Sequence, residues 1–143
     1  MTLKSRRISA YALILHEDQV LLSKLNRGPN SGKWNLVGGG IEHGELPEDA
    51  LLREIQEEAG ITLKDPATLL SVMSDRYVYK NAEAKEEDLQ LIGIIYLVRL
   101  SEKVSVKFVH DEHTSDGCQW FPMTEITEKE MVPFVIKSLA LLP

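Results

Sequence analysis

Three carboxylates, Glu54, Glu57 and Glu58, stand at positions i, i+3 and i+4. On a helix they leave one face with Cβ atoms about 5–6 Å apart, and each like-charge pair costs a few tenths of a kcal/mol. Arg53 can pair with Glu57 four residues on, which leaves two charges without a local partner. A hard divalent cation turns that cost into a site. Mg²⁺ or Mn²⁺ takes oxygen ligands, keeps several waters and shares its shell with substrate phosphates.

A second group lies just upstream. Gly38, Gly39 and Gly40 let the backbone turn sharply and approach a ligand with no Cβ in the way. A loop there, leading through Glu45 to the helix start, can offer a backbone carbonyl to a metal. Glu45 lies eight residues before Arg53. These two read as an ion pair that holds the acidic face in place.

The elements that must position these groups follow from the pattern. Pro47–Ala59 has the strongest helix signal. Pro47 suits the first helical position, Glu48 and Asp49 the first turn, and Gly60 the left-handed residue that ends a helix. Leu51, Leu52, Ile55 and Ala59 give it an apolar side, while Leu46 is a poor N-cap. Upstream, Ile8–His16 and Gln19–Leu25 read as a hairpin around Glu17-Asp18, and Arg27–Lys33 as a loop. Trp34–Val37 reads as a short strand running into the glycines. Downstream, Thr68–Tyr79 and Leu89–Leu100 are long strands joined by a charged turn, Asn81–Asp88. Val104–Val109 and Cys118–Phe121 are shorter strands, Thr124–Lys129 starts a helix, and Pro133–Leu142 is a second one. Strands before, between and after the helices predict an α/β sandwich with a mixed sheet. The early hairpin argues against a purely parallel one.

The chain has 143 residues, which predicts one domain over residues 1–143. It is 43% hydrophobic and 27% charged, which excludes a disordered chain. Its net charge of −6 argues against bulk binding of nucleic acid but permits a small polyanion held through metal ions. The single cysteine, Cys118, rules out an internal disulfide framework and a cysteine-based zinc site. No run of about 18 apolar residues or cleavable leader is visible, so the expectation is no membrane and a cytoplasmic location. His16, His43, His110 and His113 show no ligand spacing.

Taken together, Gly39-x5-Glu45-x7-Arg53-Glu54-Ile55-x-Glu57-Glu58-x-Gly60-Ile61 has seven fixed positions outside the aliphatic ones. Their chance coincidence is roughly one in 10⁸ per start site. The segment resembles the signature of the Nudix (MutT-like) hydrolases, Gx5Ex7REUxEExGU with U aliphatic, at every fixed position. Weaker likeness covers most of the chain, including Trp34 before the glycines and Glu112 ahead of Trp120-Phe121. Val37 stands where relatives often have Pro, and Leu46 where they often have Ser.

That resemblance implies an α/β/α sandwich with a mixed sheet. It also implies hydrolysis of a nucleoside diphosphate linked to another group X, a phosphoric anhydride, with Mg²⁺ or Mn²⁺. By position, Glu54, Glu57 and Glu58 are the metal carboxylates, the Gly39 carbonyl is a further ligand, and Arg53 and Glu45 are the orienting pair. Glu112 is the expected later carboxylate, with Asp111 and the Glu86-Glu87-Asp88 cluster as alternatives. Glu54, then Glu112, is the expected base, since one carboxylate must take a proton from the attacking water. Arg27 and Lys33 are phosphate-contact candidates, Trp34 could stack on a base, and Arg76 and Tyr77 either line the pocket or face water. Dimers are frequent among similar proteins. Two other readings stay open: a non-catalytic nucleotide- or partner-binding Nudix module, and the isomerases of isopentenyl diphosphate, which rely on a reactive cysteine.

Overall fold

A computed structural model describes residues 1–64, 66–106 and 115–143. In chain order the elements are β1 (Leu3–His16), β2 (Gln19–Leu25), β3 (Trp34–Asn35), β4 (Val37–Gly40), α1 (Pro47–Ala59), β5 (Thr68–Lys80), β6 (Glu86–Arg99), β7 (Ser115–Pro122), a 3₁₀ turn (Met123–Glu125) and α2 (Pro133–Leu139).

The sheet runs β3-β2-β1-β6-β5, with β4 on β1 and β7 on β2. It is mixed. β1 and β6 are parallel from Leu3↔Glu87 to Leu15↔Arg99, and β1 and β2 form the antiparallel hairpin. One edge of β1 is divided between two partners. Ser9–Ala12 pairs with Gly40–Val37 of β4, and Ile14–His16 pairs with β2. The strand that carries the glycines is therefore anchored to the centre of the sheet.

Both faces of β1 are buried, which explains its unbroken apolar run. Ala10, Ala12 and Ile14 face α1 and meet Leu51, Ile55 and Ala59. Tyr11, Leu13 and Leu15 face α2 and meet Phe134 and Val135. The layers are α/β/α, as the sequence predicts.

α1 has the predicted bounds. Gly60 ends it at φ 68° and its N–H returns to the Gln56 carbonyl at 3.0 Å, while Leu46 offers no side-chain cap. Other elements differ from the sequence reading. β1 begins at Leu3, because pairing with β6 extends through exposed Lys4 and Arg6, which carry no hydrophobic pattern. The strand expected at Trp34–Val37 breaks at Leu36 into β3 and β4. The turn after β5 is tighter than Asn81–Asp88: the Asn81 carboxamide oxygen accepts the Glu83 and Lys85 N–H groups, and Glu86 already belongs to β6.

No helix forms over Thr124–Lys129 beyond the 3₁₀ turn. The backbone that follows is bound to β3 instead: Trp34 N–H donates to Glu130 O at 2.9 Å and Val132 N–H to Trp34 O at 2.8 Å. α2 ends at Leu139 rather than Leu142. Val104–Val106 is not a strand, and the rest of that expected strand lies outside the described residues. Among the described residues no helix is long and apolar enough to cross a membrane.

Candidate active site

α1 packs its apolar side under β1 and β4 and sends its acidic side past the glycine edge of β4. There Gly38, Gly39, Arg53, Glu54, Glu57 and Glu58 line one cavity of about 980 Å³.

Arg53 organises the acidic face. Its Nε and Nη2 donate to the two carboxylate oxygens of Glu45 at 2.8 and 2.9 Å. Nη2 also donates to the Gly40 carbonyl at 3.1 Å, and Nη1 to Glu54 at 3.0 Å and Glu57 at 3.3 Å. The planar fork thus ties the loop, the strand and the helix together, a geometry that a lysine cannot copy. Glu45 also accepts the Glu42 N–H at 2.9 Å, which closes the loop on itself.

The three glutamates sit in different surroundings. Glu58 is 2% exposed and accepts the Gly38 N–H at 3.1 Å. Glu54 is 9% exposed and lies against Gly39, where a Cβ would come within 2.7 Å of its Oε1. Burial raises its carboxyl above the usual range; the Arg53 hydrogen bond and charge pull it back, and the Glu57 charge adds to the rise. Glu57 is half exposed.

All these donors are oxygens, and the absence of a side chain at Gly39 lets the Glu54 carboxylate lie against the strand. That set fits Mg²⁺ or Mn²⁺ and does not suit a soft metal. Among the described residues no three acidic, histidine or cysteine side chains are gathered closely enough to hold an ion as they stand. Each carboxylate is turned to an N–H partner. Glu57, whose single 3.3 Å contact is the weakest, has the least to give up on turning inward.

The other expected residues divide. Arg27 lines the same cavity. Lys33 and Trp34 do not: Lys33 braces the loop through its backbone, and the Trp34 ring packs edge-on against Phe121 with centroids 4.8 Å apart. Tyr77 lines the cavity, while Arg76 points to the opposite face of the sheet and pairs with Asp88 at 2.7 Å. Glu87 is hydrogen-bonded to Ser5 and Asn81, so neither it nor Asp88 joins the acidic face. Glu112 and Asp111 lie outside the described residues.

Cys118 donates to the Glu58 carbonyl at 3.3 Å, and burial pushes its thiol up to about 12. A thiol held neutral in this way is no nucleophile at neutral pH. The sequence reading missed Arg7, Tyr11, Asn30 and Tyr79 as cavity residues. Alternation along β1 and β5 could have grouped Arg7 with Tyr11 and Tyr77 with Tyr79, but only strand pairing shows that the two sets share a face.

The Glu45–Arg53 pair has a readout in acid. Arg53 and the Glu42 N–H hold the Glu45 carboxyl down at about 2, against an ordinary value of 4.5. A carboxyl lowered in the folded state stabilises it above pH 4.5, and that contribution fades as pH falls toward 2. Glu45→Gln should therefore lower Tm at pH 6, and the gap from the parent chain should close between pH 4.5 and 2. A gap that is constant with pH would contradict the pairing.

The NUDIX domain family model matches residues 5–142. Nucleoside triphosphatase NudI from Salmonella agona (strain SL483) is 39% identical over 88 residues, which are 59% of this chain and 62% of that protein. The aligned region thus spans less than two thirds of the length of the curated relatives it matches. A MutT NUDIX hydrolase from Burkholderia pseudomallei superimposes with a TM-score of 0.73 at 27% identity, covering 96% of this chain and 98% of that one. The bifunctional NMN adenylyltransferase/ADP ribose pyrophosphatase of Francisella tularensis, complexed with AMP and a Mn ion, superimposes at 0.61 and 17% identity, covering 95% of this chain and 41% of that one.

Proposed function

Because the chain belongs to the Nudix family, matched over residues 5–142, we propose that it is a metal-dependent hydrolase of nucleoside diphosphates linked to a group X. The observation that carries this reading is the gathering of Glu54, Glu57 and Glu58 with Gly39 on one cavity wall. Glu54, Glu57, Glu58 and the Gly39 carbonyl would hold Mg²⁺ or Mn²⁺. When bound, such an ion lowers the pKa of a water and neutralises charge on the phosphates.

The chain's own residues do the rest. Arg53, fixed by Glu45 and Gly40, keeps the acidic face aligned with the strand. A carboxylate takes the proton of the attacking water, with Glu54 first in line and Glu112 second. The cavity continues past Tyr11, Asn30 and Tyr77, giving the nucleoside an aromatic and amide-lined wall. The name of the Salmonella relative supports a nucleoside triphosphate as the first substrate to test, and a cytoplasmic location goes with such a substrate.

A panel of nucleoside triphosphates, including an oxidised one, with ADP-ribose, a nucleotide-sugar and a dinucleoside polyphosphate tests this reading. Each is incubated with Mg²⁺ and with Mn²⁺, and released phosphate, pyrophosphate or nucleoside monophosphate is measured. Metal-dependent cleavage of at least one anhydride is expected. No turnover of any substrate with either metal would leave a binding module as the better description.

A further inference from the structure

Arg7 lines the same cavity as Arg27 and Arg53. It lies on β1 between Arg6 and Ile8, and its register partner on β6 is Leu91. Its neighbour Arg6 turns to the other face and donates to Gln90 at 2.9 Å. Arg7 instead enters the cavity of the three glutamates. Its guanidinium lies over Gly40, with Nε and Nη2 at 3.4 and 3.5 Å from where a Cβ would stand. A Cβ there would only touch it at van der Waals distance, so the planar group lies against the strand without depending on the glycine.

Arg7 also differs from Arg53 in its partners. Arg53 is saturated by Glu45, Glu54, Glu57 and Gly40. Arg7 makes no hydrogen bond or ion pair among the described residues. Its charge nonetheless favours the ionised forms of Glu54, Tyr11 and Tyr79. A phosphate chain held at the acidic face has this guanidinium in the same cavity.

We infer that Arg7 determines specificity by receiving a third phosphate, which selects nucleoside triphosphates over two-phosphate substrates such as ADP-ribose. The inference rests on the hydrolase reading above. Cations held at the carboxylates would neutralise part of a phosphate chain; a third phosphate adds further charge, and Arg7 offers N–H groups in the fork that suits a phosphate.

The test compares Arg7→Ala and Arg7→Lys with the parent chain and with Arg6→Ala, whose side chain lies on the opposite face. For the best triphosphate, Arg7→Ala should raise KM about tenfold or more, with kcat falling far less. On ADP-ribose kcat/KM should change less than about threefold, and Arg7→Lys should recover part of the loss. Calorimetry with inorganic tripolyphosphate and with pyrophosphate, both in MgCl₂, reads the same contact without turnover. Arg7→Ala should weaken tripolyphosphate about tenfold and pyrophosphate little, while Arg6→Ala should change neither. Equal loss on both probes, or no loss on tripolyphosphate in a folded variant, overturns the inference. If the parent chain cleaves nothing, the hydrolase reading fails by itself and the two polyphosphate titrations still decide Arg7.

Discussion

Glu57→Gln is expected to lower turnover of the best substrate by about 10³-fold or more while the chain stays folded. Glutamine keeps the shape and one oxygen but loses the charge that a divalent ion requires. Electrostatic stabilisation of the kind lost with it usually outweighs every other contribution to phosphoryl chemistry. The folded state loses little. Glu57 is half exposed and gives the helix one i,i+4 contact with Arg53 at 3.3 Å. Exposed pairs of that kind contribute about 0.3–0.5 kcal/mol, and removing the repulsion from Glu54 offsets part of it. Thermal unfolding with and without MgCl₂ separates the two effects. Magnesium that binds only the native state raises Tm of the parent chain, and this increment should shrink in the variant. A folded Glu57→Gln protein with near-parental turnover and the full increment would remove Glu57 from the metal site and weaken the reading as a whole.

The parts of this arrangement differ in how well the sequence foretells them, and the reasons are physical. α1 is legible because its bounds depend on local chemistry: Pro47 opens it, Gly60 closes it in a left-handed conformation, and the acidic and apolar faces separate at helical spacing. The Glu45–Arg53 pairing is legible for a related reason. Glu45 sits in the short loop between β4 and α1, eight residues before Arg53, and the guanidinium meets both of its carboxylate oxygens. The start of β1 is not legible. Lys4 and Arg6 are held by parallel pairing to a strand more than eighty residues away, so their own pattern shows nothing. The helix expected over Thr124–Lys129 goes no further than a 3₁₀ turn, and Trp34 takes the backbone bonds that follow on either side of Met131. Arg7 is the instructive miss. As a letter it is one of several cations near the N-terminus, and only the pairing of Ser9 with Gly40 brings it over the glycines and into the cavity of the glutamates.

Adjacent glycines give the second large effect, and they should fail in opposite ways. Gly38 has φ 149°, a region that side chains rarely adopt, and a Cβ there would run into the Ala10 carbonyl oxygen and come 2.7 Å from Tyr11 Cα. Those atoms are backbone of the central strand and cannot move aside without breaking the β1–β4 pairing. Gly38→Ala should therefore cost about 3 kcal/mol or more in stability, the sum of overpacking and backbone strain. It also threatens the N–H that Glu58 accepts. At Gly39 the obstacle is the carboxylate of Glu54, with Oε1 2.7 Å from the added atom. A flexible side chain can swing away, so Gly39→Ala should fold nearly as well as the parent. What it loses is the position of Glu54, and turnover should fall about 10²-fold or more, together with the magnesium-dependent rise in Tm. Denaturant unfolding and kinetics on the two variants give the answer directly. A Gly39→Ala chain with parental turnover and the full magnesium increment would mean that Glu54 does not need its place against the strand, and that the glycines serve the fold alone.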